Sequence, residues 1–273
     1  KDILGAEVFT ETYEDYLAFH KKYYHPSNSY LYLYGNMNME EKLNWIDENY
    51  LSHFEKIEVD SEVRLQKPFA ERKEEYGFYS VTEGEDTEGK AYFSYNTVCG
   101  DGLDRNLYRA FPVLSYVLVQ SIGAPLKQAL LDAGIGNDIS CYYEESVRQP
   151  FFSIIAKNVK MEQKQQFITV IETELKKIVK EGLNQQSLLA AINGYEFQYR
   201  EADFGNFPKG LMYGLQIFDS WLYDENKPFI HIQANDTFAF LKKQVGTDYF
   251  EKIIEKYLLK NPHATFVSVQ PKV

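Results

Sequence analysis

The chain has 273 residues, of which 44% are hydrophobic and 25% charged, the balance of a globular protein built as one large domain plus a fragment, or as two small ones. A net charge of −11 argues against a nucleic-acid partner, which needs a clustered Lys/Arg footprint, and permits a basic peptide as ligand. No stretch reaches the about 20 continuous apolar residues of a membrane span, so no membrane partner is expected.

Thr12-Tyr13-Glu14-Asp15 resembles a capping box, and Tyr13, Tyr16, Leu17, His20 and Tyr24 follow at helical spacing until Pro26. Tyr30 to Tyr34 alternates like a strand, and Asn38 with Glu41 announces a helix through Leu43, Trp45 and Ile46. Residues 1–56 therefore read helix–strand–helix, too little to bury a core alone. Residues 57–75 are rich in charge, contain Pro68 and lack a sustained period, as an interdomain linker would. Residues 76–81 and 91–95 read as two strands joined by an acidic turn, a predicted hairpin. A helix with Leu107, Phe111, Leu114 and Leu118 follows, then a short one from Pro125 to Ala133. Ile139–Val147 and Phe151–Lys157 predict a second hairpin. Phe167 to Val179 marks a long amphipathic helix stopped by Gly182, and Asn184 caps the next. Further helices are predicted near 208–223 and 234–259, and a last strand at 264–269. Hairpins and helices in separate runs favour an α+β fold, an antiparallel sheet covered on one face by helices.

Catalytic chemistry is hard to find. The five histidines are His20, His25, His53, His231 and His263. His20 and His25 have the spacing of an inverted zinc motif, but Lys21, Lys22, Tyr23 and Tyr24 lie between them with no carboxylate, and Pro26 pulls His25 off the helix. There is no G-x-S-x-G elbow and no P-loop order; Gly205 to Gly210 reads as a helix start with Pro208 in its first turn. Glu144, Glu145, Glu196 and Glu201 can be imagined as facing carboxylates, though solvated surface is the simpler reading. Cys99 and Cys141 form no C-x-x-C pair. They suggest reduced thiols in a cytoplasmic, reducing compartment, with a disulfide between them left open. Cys141 as a nucleophile needs a histidine that spacing does not identify, and a buried strand thiol is the simpler reading. The first residue is Lys1, so the chain is expected to be part of something longer.

The run Tyr13-Glu14-Asp15-Tyr16-Leu17-Ala18-Phe19-His20-Lys21-Lys22-Tyr23-Tyr24-His25-Pro26-Ser27-Asn28-Ser29 closely resembles the end of the first domain of presequence proteases, a branch of the insulinase/pitrilysin zinc peptidases. Gly123-Ala124-Pro125-Leu126 with Gly134-Ile135-Gly136, Gln149 to Ile154, and Tyr195-Glu196-Phe197 with Phe207-Pro208-Lys209-Gly210-Leu211 continue the likeness through the second domain of that branch. The resemblance implies that residues 1–56 are the tail of the catalytic first domain, 57–75 the linker, and 76–273 the non-catalytic second domain. It implies a parent zinc metalloendopeptidase that closes on unfolded peptides, with zinc held by an H-x-x-E-H motif that is absent here. Hence no cofactor, no metal ligand and no catalytic residue is expected in this chain, which would be inactive alone. The implied partners are the missing catalytic domain, the C-terminal half of the parent and an unfolded peptide. By motif position, Gly123 and the stretch Asn137, Asp138, Ile139, Ser140 and Cys141 resemble the glycine turn and strand edge that anchor peptide in insulin-degrading relatives. Without the surrounding His-Glu-Gly of those relatives, the plainer expectation is a Gly123 that permits tight helix packing and a strand paired on both sides. A stand-alone peptide-binding or structural subunit is the alternative.

Overall fold

The computed structural model describes residues 12–272. The chain divides into two compact units, one running to Arg64 and including Phe207–Gly214, the other comprising Leu65–Asn206 and the chain from Leu215 onward.

In the first unit, Thr12 and Asp15 form the expected capping box on α1, Tyr13–Tyr23. Asn38 caps α2, Met39–Asn49, by accepting from Glu41 N at 3.2 Å. Neither helix contains a buried residue. The alternating run at 30–34 is not a strand of the sheet. Alternation is necessary for a half-buried strand, but a strand exists only where a ladder forms. Tyr32 and Tyr34 instead lie against the start of α7, Lys209–Trp221, close enough that Cβ atoms on Gly214 and Gly210 would collide with their rings.

The second unit is a five-stranded sheet with helices on one face. Its strands are β1 (Lys73–Ser80), β2 (Ala91–Val98), β3 (Asp138–Glu144), β4 (Phe151–Val159) and β5 (Ala264–Lys272), in the order β1-β5-β2-β4-β3. The class is α+β as expected, and every pair is antiparallel except β1 with β5. The predicted β3–β4 hairpin forms, with Cys141 opposite Ile154. The predicted β1–β2 hairpin does not, because the C-terminal strand inserts between its two arms. Residues 81–90 then need only cross two strand spacings, about 10 Å, so the acidic turn tolerates the insertion. Lys73, Glu74 and Glu75, linker-like by charge, are the first residues of β1.

Between the strands stand α3 (Arg105–Ser115, widened through Tyr116–Gln120), α4 (Pro125–Asp132), α5 (Lys164–Glu181), α6 (Gln185–Glu201), α8 (Asn235–Gln244) and α9 (Tyr249–Ile253, continuing to Leu259). The single helix predicted over 234–259 is thus two, broken near Gly246, whose φ is +85°. Inward residues of the sheet meet α3 and α5: Phe93 lies 5.7 Å from Phe167 and 5.3 Å from Phe266, and Phe111 lies 6.1 Å from Phe152 between ring centroids. Each such fully buried ring contributes about 2–3 kcal/mol over exposure. On the opposite face Asn96 donates to Ser94 and Thr265 and accepts from Ser153 at 2.6 Å, pinning three strands together.

Candidate functional site: a free strand edge and its hollow

β3 pairs only with β4 and so forms one edge of the sheet. Its entry is set by the turn after α4. Gly134 N and Ile135 N bond back to Leu131 O and Leu130 O, closing the helix, and Ile135 is fully buried beneath the turn. Gly136 follows with φ +63° and passes so near β4 that a Cβ would stand 2.5 Å from Lys157 O. Only glycine combines that dihedral with that approach. Asn158 Nδ2 then donates to Asn137 Oδ1 at 2.8 Å, and Lys157 pairs with Asp138 at 2.9 Å. Both ends of that ion pair are about half exposed, so it guides register more than it stabilises.

Beyond Asp138 the side chains alternate. Ile139, Cys141 and Tyr143 turn toward the helices, while Asp138, Ser140 and Tyr142 turn away. The Cys141 sulfur donates to Ser115 O at 3.6 Å and receives the Gln120 amide at 3.7 Å, with no histidine among these partners. Burial first raises its pKa, to about 11, so the thiolate is disfavoured near neutrality and the nucleophile reading of Cys141 has no support. Both cysteines are free thiols, and burial likewise pushes Cys99 up.

Asp138 to Cys141 lie along the edge strand β3, and Asn137 stands in the bend that leads into it. Gly123 stands apart from it, linked through Gln120, which precedes it by three residues. Gly123 has φ +72°, and a Cβ built on it would meet nothing within 4 Å, so its glycine serves the turn and not tight helix packing. It opens on a hollow of about 450 Å³ at the start of α4, beside the fully exposed Ile122.

A second hollow, about 270 Å³, is lined by Arg109, Cys141, Tyr142, Tyr143, Glu145 and Tyr195, with parts of α3. Tyr143 is only 8% exposed, stacks on Phe111 at 4.9 Å, and its hydroxyl has no hydrogen-bond partner. Arg109 donates from Nη2 to His231 O at 2.9 Å and lies over the rings of Tyr108, Tyr199 and Phe238, yet its buried Nε–H has no partner. Burial raises the pKa of Glu145, and Asp219 and Glu144 add to the rise while Arg109 opposes it. Asp219, similarly raised by burial, accepts from Tyr108 at 2.7 Å. Sequence reading missed Arg109 and Tyr143. The period-two alignment of Tyr143 with Ile139 and Cys141 was its one available signal, and a lone arginine on an amphipathic helix offers none.

The imagined carboxylate group does not assemble. Glu196 is held by Arg200 and by Lys242, and Glu144 accepts from Tyr142 and Ser146. Among the described residues no three or more His, Cys, Asp or Glu side chains stand together as metal ligands. His20 stacks on Tyr24 at 4.5 Å and His25 Nδ1 accepts from Ser27 N, so the zinc-like spacing serves local structure and does not fit a zinc ion. Among the described residues no helix is long and apolar enough to cross a membrane.

Against known proteins, a family model described as the peptidase M16 inactive domain matches residues 10–195. Protein HypA of Clostridium perfringens is 43% identical over 97% of this chain, and presequence protease 1 (chloroplastic/mitochondrial) of Arabidopsis thaliana is 30% identical over 95%. These matches take up 27% and 25% of the relatives, so the chain spans about a quarter of their length. Among solved structures, the peptidase M16 inactive domain from Pseudomonas fluorescens superposes with a TM-score of 0.64 at 15% identity, covering 97% of this chain and 59% of that one. A protease from Helicobacter pylori gives 0.64 at 16%, covering 96% and 60%.

Proposed function

This chain belongs to the M16 peptidase family, matching its inactive domain and counting presequence proteases among its homologues, and from that premise we propose that it is the metal-free, peptide-holding segment of a zinc endopeptidase. In this reading zinc and the water-activating groups sit in a catalytic domain supplied by the rest of the parent, together with a C-terminal half, and the present chain lines the chamber that receives an unfolded peptide. Residues to Arg64 complete the catalytic domain, and the sheet unit forms the wall. The free thiols suit a reducing compartment such as the cytoplasm.

The observation that carries the reading is the position of β3 at the sheet edge. An edge strand keeps a row of backbone N–H and C=O groups outside its own ladder, and an extended peptide can take them up as an added strand. Asn137 to Cys141 supply that edge, and Gly123, apart from it, offers an open turn of its own. Binding of this kind draws on the peptide backbone and so accepts many sequences, which suits a degrading enzyme.

The test is binding of extended peptides to the 273-residue chain before and after N-methylation of alternate peptide amides. Methylation on the docking side is expected to abolish binding, with no hydrolysis in either case and no zinc retained after dialysis. Equal binding of methylated and unmethylated peptides removes the edge, and one equivalent of retained zinc removes the metal-free assignment.

A further inference from the structure

β1 is the other border of the sheet: among the described residues it pairs with β5 alone. Val81 N donates to Lys272 O, and along a strand alternate residues turn their backbone groups to the same side. Gly77 and Tyr79 therefore face β5, while Glu74, Tyr76, Phe78 and Ser80 turn their N–H and C=O groups away from the sheet. The side chains of these four share the helix-covered face, where Glu74 pairs with Lys164 of α5. α5 does not cover the two rings. Tyr76 is 59% and Phe78 51% exposed, with Lys164 over the first at 5.4 Å and Lys272 over the second at 5.2 Å. Eight residues without proline, carrying exposed rings, leave a long edge open to another strand.

The strand is its own complement. Antiparallel pairing about a twofold axis at Gly77 sets Tyr76 opposite Phe78 of a second copy, and Phe78 opposite its Tyr76, so four rings meet on one face. The same register puts Glu74 opposite Ser80 and Glu75 opposite Tyr79, and no like charges meet. Moving the axis to Tyr76 sets Glu74 against Phe78, moving it to Glu75 opposes two carboxylates, and moving it to Phe78 leaves Tyr76 facing no ring. With the axis at Gly77 the outward groups of Tyr76 and Phe78 form hydrogen-bonded pairs, and the two glycines add no side chain where the strands come closest. A peptide of unrelated sequence has the backbone for this edge but neither the rings nor the charge placement. We infer that β1 joins a second copy of this chain, so that one sheet runs through both. The inference is independent of the reading of β3, which stays free at the far border of each copy.

The test is sedimentation velocity of the 273-residue chain at about 0.3 M salt, which screens the charge of −11 on each copy. The contact is one strand about 26 Å long, so a dissociation constant of about 10–100 µM is expected, with the mass rising from one chain toward two. Phe78→Pro removes a donor that points out of the sheet and none that serves β5, and it is expected to weaken association about tenfold or more. Gly77→Cys reports the register. A Cβ there meets Val269 at an ordinary 3.5 Å, and the two cysteines would face each other with Cα atoms about 4.5 Å apart, within disulfide reach. Glu75→Cys is the control, its two copies about 13 Å apart in the same register. With glutathione disulfide as oxidant, Gly77→Cys is expected to form covalent dimer about tenfold faster than Glu75→Cys or more. If Phe78→Pro fails to fold, the cysteine pair decides alone. A chain that stays monomeric to about 500 µM, several times the expected constant, overturns the inference. So does association that survives Phe78→Pro in a folded chain, or equal crosslinking from the two cysteine positions. Peptide binding at β3 is read separately, by its N-methyl sensitivity, so either assignment can fail alone.

Discussion

Helix α2 in the first unit and helix α6 in the second both start on an asparagine whose side chain accepts from a backbone N–H three residues on, Asn38 from Glu41 at 3.2 Å and Asn184 from Ser187 at 2.9 Å. From that shared start they diverge. No residue of α2 is buried and Trp45 is 62% exposed, whereas α6 buries Leu188, Ala191 and Ile192 in the core over the sheet. The contrast separates two contributions. A cap sets where a helix begins, at about 1 kcal/mol, but tertiary burial supplies most of what keeps it formed. Within the sheet unit the helices share a core built around Phe93, Phe167 and Phe266; α1 and α2 have no comparable buried anchor.

The sharpest break of this comparison is a pair of truncations. Phe266→Ala empties a fully buried ring site and is expected to cost about 3–5 kcal/mol by urea denaturation. Trp45→Ala, of comparable size, should stay within about 0.5 kcal/mol. Similar costs for the two would show that the first unit contributes to the same cooperative core.

Acid should weaken the sheet unit next. His231 is 1% exposed and stacked on Tyr108 at 3.7 Å, and burial, then the charges of Arg109 and Arg105, lower its pKa to about 4. The unfolded imidazole titrates near about 6.5. Between those values the unfolded chain binds a proton that the folded chain refuses. The stability from neutral His231 is therefore complete above about pH 6.5, falls as pH drops, and levels off below about 4, a loss of roughly 3 kcal/mol. Glu145 and Asp219, raised by burial, act in the opposite sense. The measurement is accordingly the difference in stability between the parent chain and His231→Phe across that range. A difference that stays constant with pH refutes the assignment.

A smaller contrast comes from glycines. Gly136→Ala would set a Cβ against the Lys157 carbonyl at a positive φ, and about 2–3 kcal/mol should be lost because backbone cannot step aside. Gly210→Ala in the first unit meets only the half-exposed Tyr34 ring, which can swing away, and alanine is the better helix former by about 1 kcal/mol. That substitution should be neutral or mildly stabilising in a thermal melt. If it costs as much as Gly136→Ala, the Tyr34 contact is rigid and the first unit is better packed than its exposure suggests.

Local signals in the sequence determined much of the outline. The Thr12 capping box, the Asn38 and Asn184 caps, the stop at Gly182 and the β3–β4 hairpin are all readable because each depends on residues within a few positions of one another. Motif likeness likewise reached the M16 family, and the strand expected from Ile139 onward is β3, which begins at Asp138. What only the tertiary structure decided is neighbourhood. Alternation tells which face of a strand is buried but not what lies beside it. Hence nothing in Ala264 to Val269 announced that this strand would part β1 from β2, nothing in Tyr30 to Tyr34 that its pattern would form no strand of the sheet, and nothing in the alternation of residues 138–144 itself, as distinct from their motif likeness, that they would stand at an edge. The unmet hydroxyl of Tyr143 and the unmet Nε of Arg109 were equally invisible. A missing hydrogen bond is a property of the space around an atom, and that space is closed by helices and strands far away along the chain.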